Sequence, residues 1–416
     1  MTGADLPRLR TAVPGPASRA WVDRLAAHEC PAITARRARR AASLGVADAD
    51  PIVWDEAVGS NVRDVDGNVF IDLEAGFGVA SLGHRHPEVV AAGQAQLGRL
   101  PHAMGDAFPD PRRIALMEQL CARTGLDRVI LGSSGSDAVE AAVKTARLAT
   151  GRARILSFTG GYHGLASAPL ALVGYHVDAF RAPFAPLLGT HGDLAPYGGP
   201  LPDLHPYAAV LVEPVQGRGG MRAPPDGWLE ALHAAARAAG ALVVHDEIYC
   251  GLGRAGAWTS TPRPDVLCLG KALGGGFPIS ACVGTADAMD AWGASTGEAI
   301  HTQTFLGNPV GCAMALASLA ALTALDAPRR ARDLGDAWRA ELARIPGVSR
   351  VSGRGLMLGV HVPDALRVTR ALLERGFIAL PCGERAEALG LTPPLTITDA
   401  QLDAATAAIH DAVTSA

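Results

Sequence analysis

Short apolar runs that alternate with helical patterns make up the middle of the chain. Runs with the length of a β-strand lie at 128–131, 154–158, 208–212, 241–244, 266–269 and 280–283. Helical patterns separate several of these runs, most clearly at 137–149 and 228–239. Such alternation is typical of a mainly parallel sheet with helices on both of its faces. We therefore predict an α/β fold around a mainly parallel central sheet.

The two ends of the chain follow other patterns, which predict a smaller α+β domain. Residues 51–73 alternate in short runs around Asp66-Gly67-Asn68, and this pattern predicts a β-hairpin. A long apolar helix is predicted at 310–325, and a second unit of strands and helices follows it. The elements predicted in that unit are strands at 355–362 and 378–380 and helices at 365–374 and 399–413.

The length of 416 residues is too great for one ordinary hydrophobic core. We expect an N-terminal segment at 1–74, a large domain at 75–325 and a small C-terminal domain at 326–416.

Composition and charge exclude several classes of protein. The formal net charge of -4 gives no field that would attract the whole chain to nucleic acid or to an anionic membrane. The seven cysteines form no CxxC pair, which argues against a disulfide framework and against a zinc site. No eighteen apolar residues run together, and the first residues contain no apolar signal region. We therefore expect a soluble cytoplasmic protein without bound metal, in which the basic run 35–42 is a solvated or subunit-facing helix.

One lysine stands where its chemistry could be used. Lys271 follows the apolar run 266–269 and precedes the glycines 274–276, and Asp246 lies at the end of the preceding predicted strand. A lysine in apolar surroundings can lose its proton and form a Schiff base with a carbonyl. A carboxylate can keep a pyridine nitrogen protonated, so the pair fits pyridoxal phosphate. Taken alone, the two residues also fit a solvated lysine and an Asp that caps a turn.

A serine-rich turn opens the predicted helix 137–149. The free N–H groups at the start of a helix can bind an anion, and the hydroxyl groups of Ser134 and Ser136, on either side of Gly135, would add donors. A capping box between a serine and Asp137 explains the same residues without any ligand.

Three further turns contain groups that could contact a ligand. Tyr162 lies between glycines in GGYHG and could cover one face of a flat ligand, or it could be a core residue. Glu213 ends another predicted strand and could be an anchor rather than a catalyst. Thr304 stands beside a Gly-Asn-Pro turn, which by itself indicates only a turn.

Taken together, these segments resemble the class III (ω-amino acid) aminotransferases, which are fold type I pyridoxal phosphate enzymes. The resemblance extends over nearly the whole chain. The motifs that carry it, in their order along the chain, are SGSDAVEAA, GGYHG, VEPVQG, HDEIYCGLGRAG, LGKALGGGFPISA and TFLGNP.

The resemblance assigns a role to each of these positions. It implies that Lys271 forms the Schiff base with pyridoxal 5'-phosphate and moves the proton between substrate and cofactor, and that Asp246 pairs with the ring nitrogen. It implies an obligate homodimer with active sites shared between the subunits. At the cofactor phosphate it implies contacts from Gly135 and Ser136, next to Ser134, and from Thr304 of the partner subunit. On the cofactor ring it implies contacts from Tyr162 and Ile248 on the two faces and from Glu213 on the hydroxyl side.

The chain departs from the family pattern around the substrate. The family often has an arginine two residues before Thr-Pro-Pro, where it grips the substrate carboxylate, and this position is Gly390. The glutamate that commonly follows Gln-Gly is Arg218, which could replace the lost anchor or face solvent. Tyr249-Cys250 replaces Gln-Thr in the pocket wall. The predicted substrate contacts are Phe77, Arg218 and Tyr249. Further candidates are Val79 and Tyr162 of the same chain and Phe305 of the partner subunit.

These observations predict an aminotransferase that moves an amino group between an amine or amino acid and a carbonyl acceptor. The missing carboxylate grip favours a role in specialised, natural-product biosynthesis. An isomerase on the same scaffold, such as a 2,1-aminomutase, racemase or epimerase, is the first alternative. The second alternative is a catalytically silent sensor or scaffold, against which Lys271 and Asp246 argue.

Overall fold

The computed structural model describes residues 1–31, 51–189 and 191–415, so the basic run 35–42 lies outside the described residues. The strands in chain order are β1 (Trp54–Val58), β2 (Asn61–Asp64), β3 (Val69–Asp72), β4 (Arg128–Gly132), β5 (Arg154–Phe158), β6 (Gly192–Ala195), β7 (Tyr207–Val212), β8 (Leu242–Asp246), β9 (Val266–Leu269), β10 (Ser280–Gly284), β11 (Arg350–Arg354), β12 (Met357–His361), β13 (Phe377–Ile378), β14 (Leu380–Cys382) and β15 (Ala388–Leu391). The longer helices are α1 (Pro16–His28), α2 (Pro87–Arg99), α3 (Pro111–Thr124), α4 (Gly135–Thr150), α5 (Trp228–Ala239), α6 (Pro309–Ala324), α7 (Ala327–Leu342), α8 (Ala365–Leu373) and α9 (Asp399–Thr414). Shorter helical turns lie at Ala75–Gly78, Ser167–Ala171, Val177–Phe180, Ala182–Phe184, Ala185–Leu188, Lys271–Gly274, Ala286–Met289 and Asp290–Trp292.

A central sheet organises the fold, and its seven described strands have the order β4-β10-β9-β8-β7-β5-β6. The strands from β9 to β6 pair in parallel, whereas β10 runs antiparallel to both of its neighbours. The predicted α/β fold with a mainly parallel sheet is thus confirmed. Strand β6 at the sheet edge is absent from the sequence prediction because its residues, GDLA, contain no apolar run.

Strand β8 continues past its apolar run into two polar residues. His245 and Asp246 are both buried, and each has a buried partner. The Nε2 atom of His245 lies 3.0 Å from Nε2 of His233, and Oδ2 of Asp246 lies 2.8 Å from Nδ1 of His163. Because hydrogen-bonded polar groups can be buried at little cost, the strand extends beyond the end that hydropathy predicts.

Helix α4 covers one face of the central sheet with small side chains. Ala138, Ala142 and Ala146 are buried in one cluster with Ala209 of β7 and Cys268 of β9. Alanine allows the helix backbone to approach the sheet closely, and this approach fixes where the first turn of α4 lies relative to the strand ends.

Helix α6 is apolar over most of its surface and packs against α2 and α3. Among the described residues no single helix is long and apolar enough to span a membrane, and only α6 and α7 taken together, across a bend of 59°, pass a test of length and composition.

Two further sheets, of four described strands each, have the orders β1-β2-β3-β13 and β11-β12-β15-β14. The predicted hairpin is present as the antiparallel pair β2 and β3. The single strand predicted at 378–380 is wrong, because the chain there leaves one sheet and enters the other. Strand β13 pairs in parallel with β3, whereas β14 pairs with β15. The apolar pattern is continuous across this crossover and therefore does not mark it.

Helix α7 is also absent from the sequence prediction. Most of its residues are polar, and it buries only a narrow stripe that contains Ala331, Gly335, Trp338 and Leu342. A stripe with this helical spacing is enough to hold one face of the helix against the core.

Candidate active site

A cavity of about 780 Å³ lies at the carboxyl ends of the central parallel strands. Open α/β sheets place their ligands at this edge. The predicted site residues that line the cavity are Phe77, Ser134, Gly135, Ser136, Tyr162, Glu213, Arg218, Asp246, Ile248, Tyr249 and Lys271. Thr304, Phe305 and Val79 are also proposed from the sequence, but they do not line the cavity in the part of the chain that the structure describes.

Lys271 stands directly after β9 and begins a short helical turn. Its backbone has a φ of 39°, in the left-handed region that residues other than glycine rarely adopt. Its Nζ atom lies 3.3 Å from the centroid of the Tyr249 ring, a cation–π contact. Burial lowers the pKa of Lys271 to about 8, although the charges of Glu213 and Asp246 act in the opposite direction. A large fraction of the amine is therefore neutral near that pH, and a neutral amine is a nucleophile and a base.

Asp246, at the end of the neighbouring strand β8, forms a buried pair with His163. The Oδ2 atom of Asp246 lies 2.8 Å from Nδ1 of His163, and Oδ1 accepts a hydrogen bond from the N–H of Ile248 at 3.2 Å. Burial acts to lower the pKa of His163, but the hydrogen bond and charge of Asp246, with a contribution from Glu213, outweigh it and leave the pKa raised. The pair therefore holds a carboxylate at the cavity wall with a cationic partner behind it.

The first turn of α4 lies at the cavity and exposes backbone N–H groups to it. Ser134 is the N-cap, and its capping box with Asp137 is present: the serine hydroxyl accepts from the Asp137 N–H at 3.3 Å, and the Asp137 carboxylate accepts from the Ser134 N–H at 2.8 Å. Gly135 and Ser136 follow in the first turn, where the positive end of the helix dipole favours an anion. A Cβ atom at Gly135 would come within 2.9 Å of Ile248, so glycine is what allows that side chain to pack against the turn.

Tyr162 is held by Glu213. One carboxylate oxygen of Glu213 accepts from the Tyr162 N–H at 2.9 Å, and the other accepts from the Gly217 N–H at 3.3 Å. Burial raises the pKa of Glu213. The guanidinium carbon of Arg218 lies 4.4 Å from the centroid of the Tyr162 ring. Arg218 is thus half-buried in the cavity wall rather than directed into solvent.

Tyr249 forms another part of the wall between two glycine backbones. A Cβ atom at either Gly78 or Gly217 would lie 2.4 Å from the ring, so only glycine fits at both positions. The Tyr249 hydroxyl lies 3.0 Å from the hydroxyl oxygen of Thr392 and 3.4 Å from a carboxyl oxygen of Glu74. Burial raises the pKa of Tyr249 well above its ordinary value, so the hydroxyl stays protonated.

Several side chains in or next to the cavity are absent from the sequence prediction, and three of them, His163, Glu74 and Thr392, make the hydrogen bonds described here. His163 stands inside the GGYHG motif, directly after Tyr162, and its polarity beside an aromatic residue is a signal that could be used. Glu74 follows the buried strand β3, the same strand-end position that identifies Asp246. Thr392 gives no such signal, because its contacts come from residues far away in the chain.

Thr304 and Phe305 lie on the protein surface instead of in the cavity. The segment that contains them is tied to residues near 100–108, through a contact of 5.4 Å between the rings of His102 and Phe305 and a hydrogen bond from Thr302 to Asp106. Exposed apolar side chains cluster in these two segments, namely Leu97, Leu100, Met104, Phe108, Ile300 and Phe305. An exposed apolar patch of this kind is typical of a protein–protein contact.

A family model and several relatives match most of the chain. The model described as aminotransferase class-III matches residues 45–196 and 204–413. The acetylornithine aminotransferase of Mycobacterium bovis is 39% identical over 378 residues, which cover 86% of this chain and 91% of that protein. Ornithine aminotransferase 2 of Staphylococcus aureus is 34% identical over 377 residues, which cover 85% of this chain and 92% of that protein.

A solved structure gives the same match in three dimensions. The ornithine aminotransferase of Toxoplasma gondii, in a structure with partial occupancy of PLP at its active site, superposes with a TM-score of 0.80 at 31% identity. The match covers 88% of this chain and 90% of that chain.

Replacing His163 by alanine leaves the Asp246 carboxylate buried without its partner. We expect the free energy of unfolding at pH 6, measured by urea denaturation, to fall by about 3 kcal/mol, because an uncompensated buried charge is costly. The pKa of His163 is raised above its ordinary value of 6.5 in the folded protein. The charged pair therefore contributes its full stabilisation to the folded protein when the pH is below the ordinary pKa of histidine. That contribution is lost as the pH rises through the raised pKa of His163.

The difference in stability between the wild type and His163→Ala should accordingly shrink at alkaline pH. His205→Ala is the matched control, since His205 forms an exposed pair with Asp203 and both side chains are 71% accessible. That variant should change little at any pH. A His163→Ala effect that grows with pH would contradict the assignment of a protonated His163.

Proposed function

The chain belongs to the class III aminotransferase family, and from this we propose that it is a pyridoxal-phosphate-dependent enzyme that moves an amino group between an amine or amino acid and a carbonyl acceptor. The observation that carries the proposal is the position of Lys271 in the cavity. The chain contains only two lysines, and the other, Lys144, lies on the exposed side of α4. Lys271 is thus the one lysine in the cavity wall that can bind an aldehyde.

The residues around Lys271 fit pyridoxal phosphate in charge and in shape. Gly135 and Ser136 present N–H groups to a phosphate at the start of α4. Gly164 packs so closely on Ser136 that a Cβ atom there would lie 2.0 Å from the serine oxygen, so the turn leaves room only for a glycine backbone. Asp246 supplies the carboxylate for a pyridine nitrogen. We propose Tyr162 and Ile248 for the two ring faces and Glu213 for the hydroxyl side.

Pyridoxal phosphate, when bound, supplies the electron sink that stabilises a carbanion at the substrate carbon. The protein supplies the proton transfer and the orientation. Because the pKa of Lys271 is about 8, its Nζ atom can accept a proton at one carbon and return it at another. The ring face of Tyr249, 3.3 Å from that Nζ atom, favours the charged form of the amine that arises when it accepts the proton.

Asp246 and His163 keep the charge at the ring position fixed during this transfer. The carboxylate is held on one side by His163 and on the other by the N–H of Ile248, so it cannot rotate away from the cavity. A carboxylate at that place favours a protonated pyridine nitrogen, and this is the protein's contribution to the electron sink.

The names of the relatives suggest the type of amine. Proteins named acetylornithine and ornithine aminotransferase match most of this chain, and we infer that the donor here is likewise an amine on a short carbon chain. Gly390 and Arg218 depart from the family pattern, and this supports a role in specialised biosynthesis and keeps an isomerase as the second candidate. All seven cysteines are free, which supports a reducing cytoplasm as the compartment.

A homodimer with shared active sites is part of the proposal. Thr304 lies beside the apolar patch formed by Leu97, Leu100, Met104, Phe108, Ile300 and Phe305. A second copy that covers this patch would bury it and could bring its Thr304 to the phosphate end of the cavity. This arrangement accounts for a motif threonine that lies outside the cavity of its own chain.

The transfer reaction can be tested in a single half-reaction. Holoenzyme mixed with a panel of amines, without a carbonyl acceptor, should lose the visible absorption of its cofactor with at least one amine and release one carbonyl product per site. Carbonyl release is followed by mass spectrometry. Exchange of a substrate proton with solvent without carbonyl release would instead establish the isomerase.

Two controls identify the lysine that binds the cofactor in that experiment. Borohydride reduction of the holoenzyme should attach the cofactor to the peptide that contains Lys271, whereas Lys144, in an ion pair with Glu140 on α4, should remain unmodified. Lys271→Ala should abolish both the visible band and turnover, and Lys144→Ala should keep both. Cofactor found on Lys144 would overturn the assignment.

Shared sites predict complementation between two inactive variants. Co-expression of Lys271→Ala with Thr304→Glu should restore roughly a quarter of the wild-type activity, because half of randomly assorted dimers are mixed and each mixed dimer has one intact site of two. Thr296→Glu, at an exposed position eight residues away, is the control and should remain active alone. Absence of any recovery in purified mixed dimers would place each site within one chain.

Arg218 is proposed as the replacement anchor for a substrate carboxylate. Arg218→Ala should raise KM for carboxylated substrates about tenfold or more with little change in kcat, because a charge-assisted hydrogen bond contributes to binding in both ground and transition states. Arg218→Lys should have an intermediate effect, since it keeps the charge but loses the bidentate geometry. Equal kinetics for wild type and Arg218→Ala would exclude the anchor.

A further inference from the structure

Glu74 is a buried acid in the cavity wall that the proposed transfer chemistry does not use. It follows strand β3 by two residues, is only 4% exposed and lines the cavity together with Tyr249 and Gly390. The nearby Asp72 has a partner, because its carboxylate lies 2.8 Å from Nε2 of His84.

The hydrogen bonds of the Glu74 carboxyl group are few and long. Oε1 accepts from the Leu380 N–H at 3.3 Å, and Oε2 accepts from the hydroxyl groups of Tyr249 and Thr392, each at 3.4 Å. Well-formed O–H···O bonds measure roughly 2.7–2.8 Å, and an ionised carboxylate accepts about four hydrogen bonds. The group therefore retains acceptor capacity towards the cavity.

In the described part of the chain, no basic side chain forms an ion pair with Glu74. The buried cation Arg254 feels the charge of Glu74 but makes no hydrogen bond with it, since its guanidinium donates to the carbonyl oxygens of Leu356 and Pro393 and to the Ser81 hydroxyl. Burial, followed by the charge of Asp72, raises the pKa of Glu74 to about 8. Below that pKa the acid is mostly protonated, and a cationic ligand group next to it would favour the ionised carboxylate and bind it more strongly than a neutral hydroxyl group would.

Gly390 in β15 provides the room that this carboxyl group occupies. A Cβ atom at position 390 would lie 3.0 Å from Oε1 of Glu74 and 3.0 Å from the terminal carbon of Met221. The backbone there is fixed by pairing with Gly359 of β12 and Leu380 of β14. A larger side chain at 390 and the acid at 74 would therefore compete for the same space.

Tyr249 connects this acid with the reactive lysine. Its ring face contacts the Nζ atom of Lys271, and its hydroxyl faces Glu74. A ligand whose reacting amine is at Lys271 would thus reach Glu74 over about the length of one tyrosine side chain. A short alkyl chain spans this distance.

We propose that Glu74, together with the hydroxyl groups of Tyr249 and Thr392, forms a subsite for a second ammonium group of the amine substrate, so that the substrate class is short amines with a cationic far end. This inference rests on the proposed aminotransferase function. Arg218, which stacks on Tyr162, stays available for a carboxylate of the same or of the second substrate.

The test compares three amines of similar length in the half-reaction of the holoenzyme. Putrescine has an ammonium group at its far end, pentylamine has a methyl group there, and 5-aminovalerate has a carboxylate. The concentration for half-saturation should be about tenfold or more lower for putrescine than for pentylamine, because charge-assisted hydrogen bonds are among the stronger ones. Glu74→Gln, which keeps the shape of the side chain, should reduce this preference to about twofold.

The control variant is Glu384→Gln, which removes an exposed carboxyl group two residues from the cavity residue Cys382 and should retain the preference. Cofactor absorption equal to that of the wild type shows that Glu74→Gln is folded. Equal half-saturation for putrescine and pentylamine in the wild type, or a preference that survives in Glu74→Gln, would overturn the subsite while leaving the aminotransferase intact. Failure of every amine to change the cofactor absorption would overturn the proposed function and the subsite with it.

Discussion

The removal of water from the carboxyl edge of the central sheet is the constraint on which the whole site depends. Lys271 would be an ordinary protonated amine without it, since burial is the main cause of its lowered pKa. Strands β8 and β9 pair in parallel and end side by side, so they deliver Asp246 and Lys271 to the same cavity from rigid backbone. The chemistry of the lysine is therefore a consequence of the sheet.

The same burial makes it costly in free energy to ionise each acid near the lysine, and each acid has a different set of partners that offset this cost. Asp246 has the cation His163 behind it, and Glu213 accepts two backbone N–H groups. Both carboxyl groups have their partners within the chain, and both line the cavity. Glu74 has only long hydrogen bonds, and this difference is the basis for proposing that it meets the substrate.

The sequence predicts best what depends on neighbours along the chain. Apolar runs predict the inner strands of the central sheet, and the polar residues that end them indicate Asp246 and Lys271. Contacts between distant segments are not predicted: the pair of His163 and Asp246 joins positions 83 residues apart, and Glu74 meets Thr392 across 318 residues. The strand predicted at 378–380 fails for the same reason, because the choice between two sheets is made by partners and not by local hydropathy.

The position of Glu74 next to Gly390 suggests another explanation for the glycine that stands where the family pattern has an arginine. Where the resemblance leads one to expect an arginine, a glycine alone would indicate only a lost anchor for a carboxylate. In the structure an acid lies next to Gly390, and a Cβ atom at 390 would come within 3.0 Å of its carboxyl oxygen. In its ionised form Glu74 adds a negative charge to the wall of the cavity where the family pattern has a positive one. In the proposed subsite this charge attracts an ammonium group, while Arg218 elsewhere in the cavity wall remains available for a carboxylate. The departure from the family pattern is therefore better explained as a different specificity than as a loss of binding.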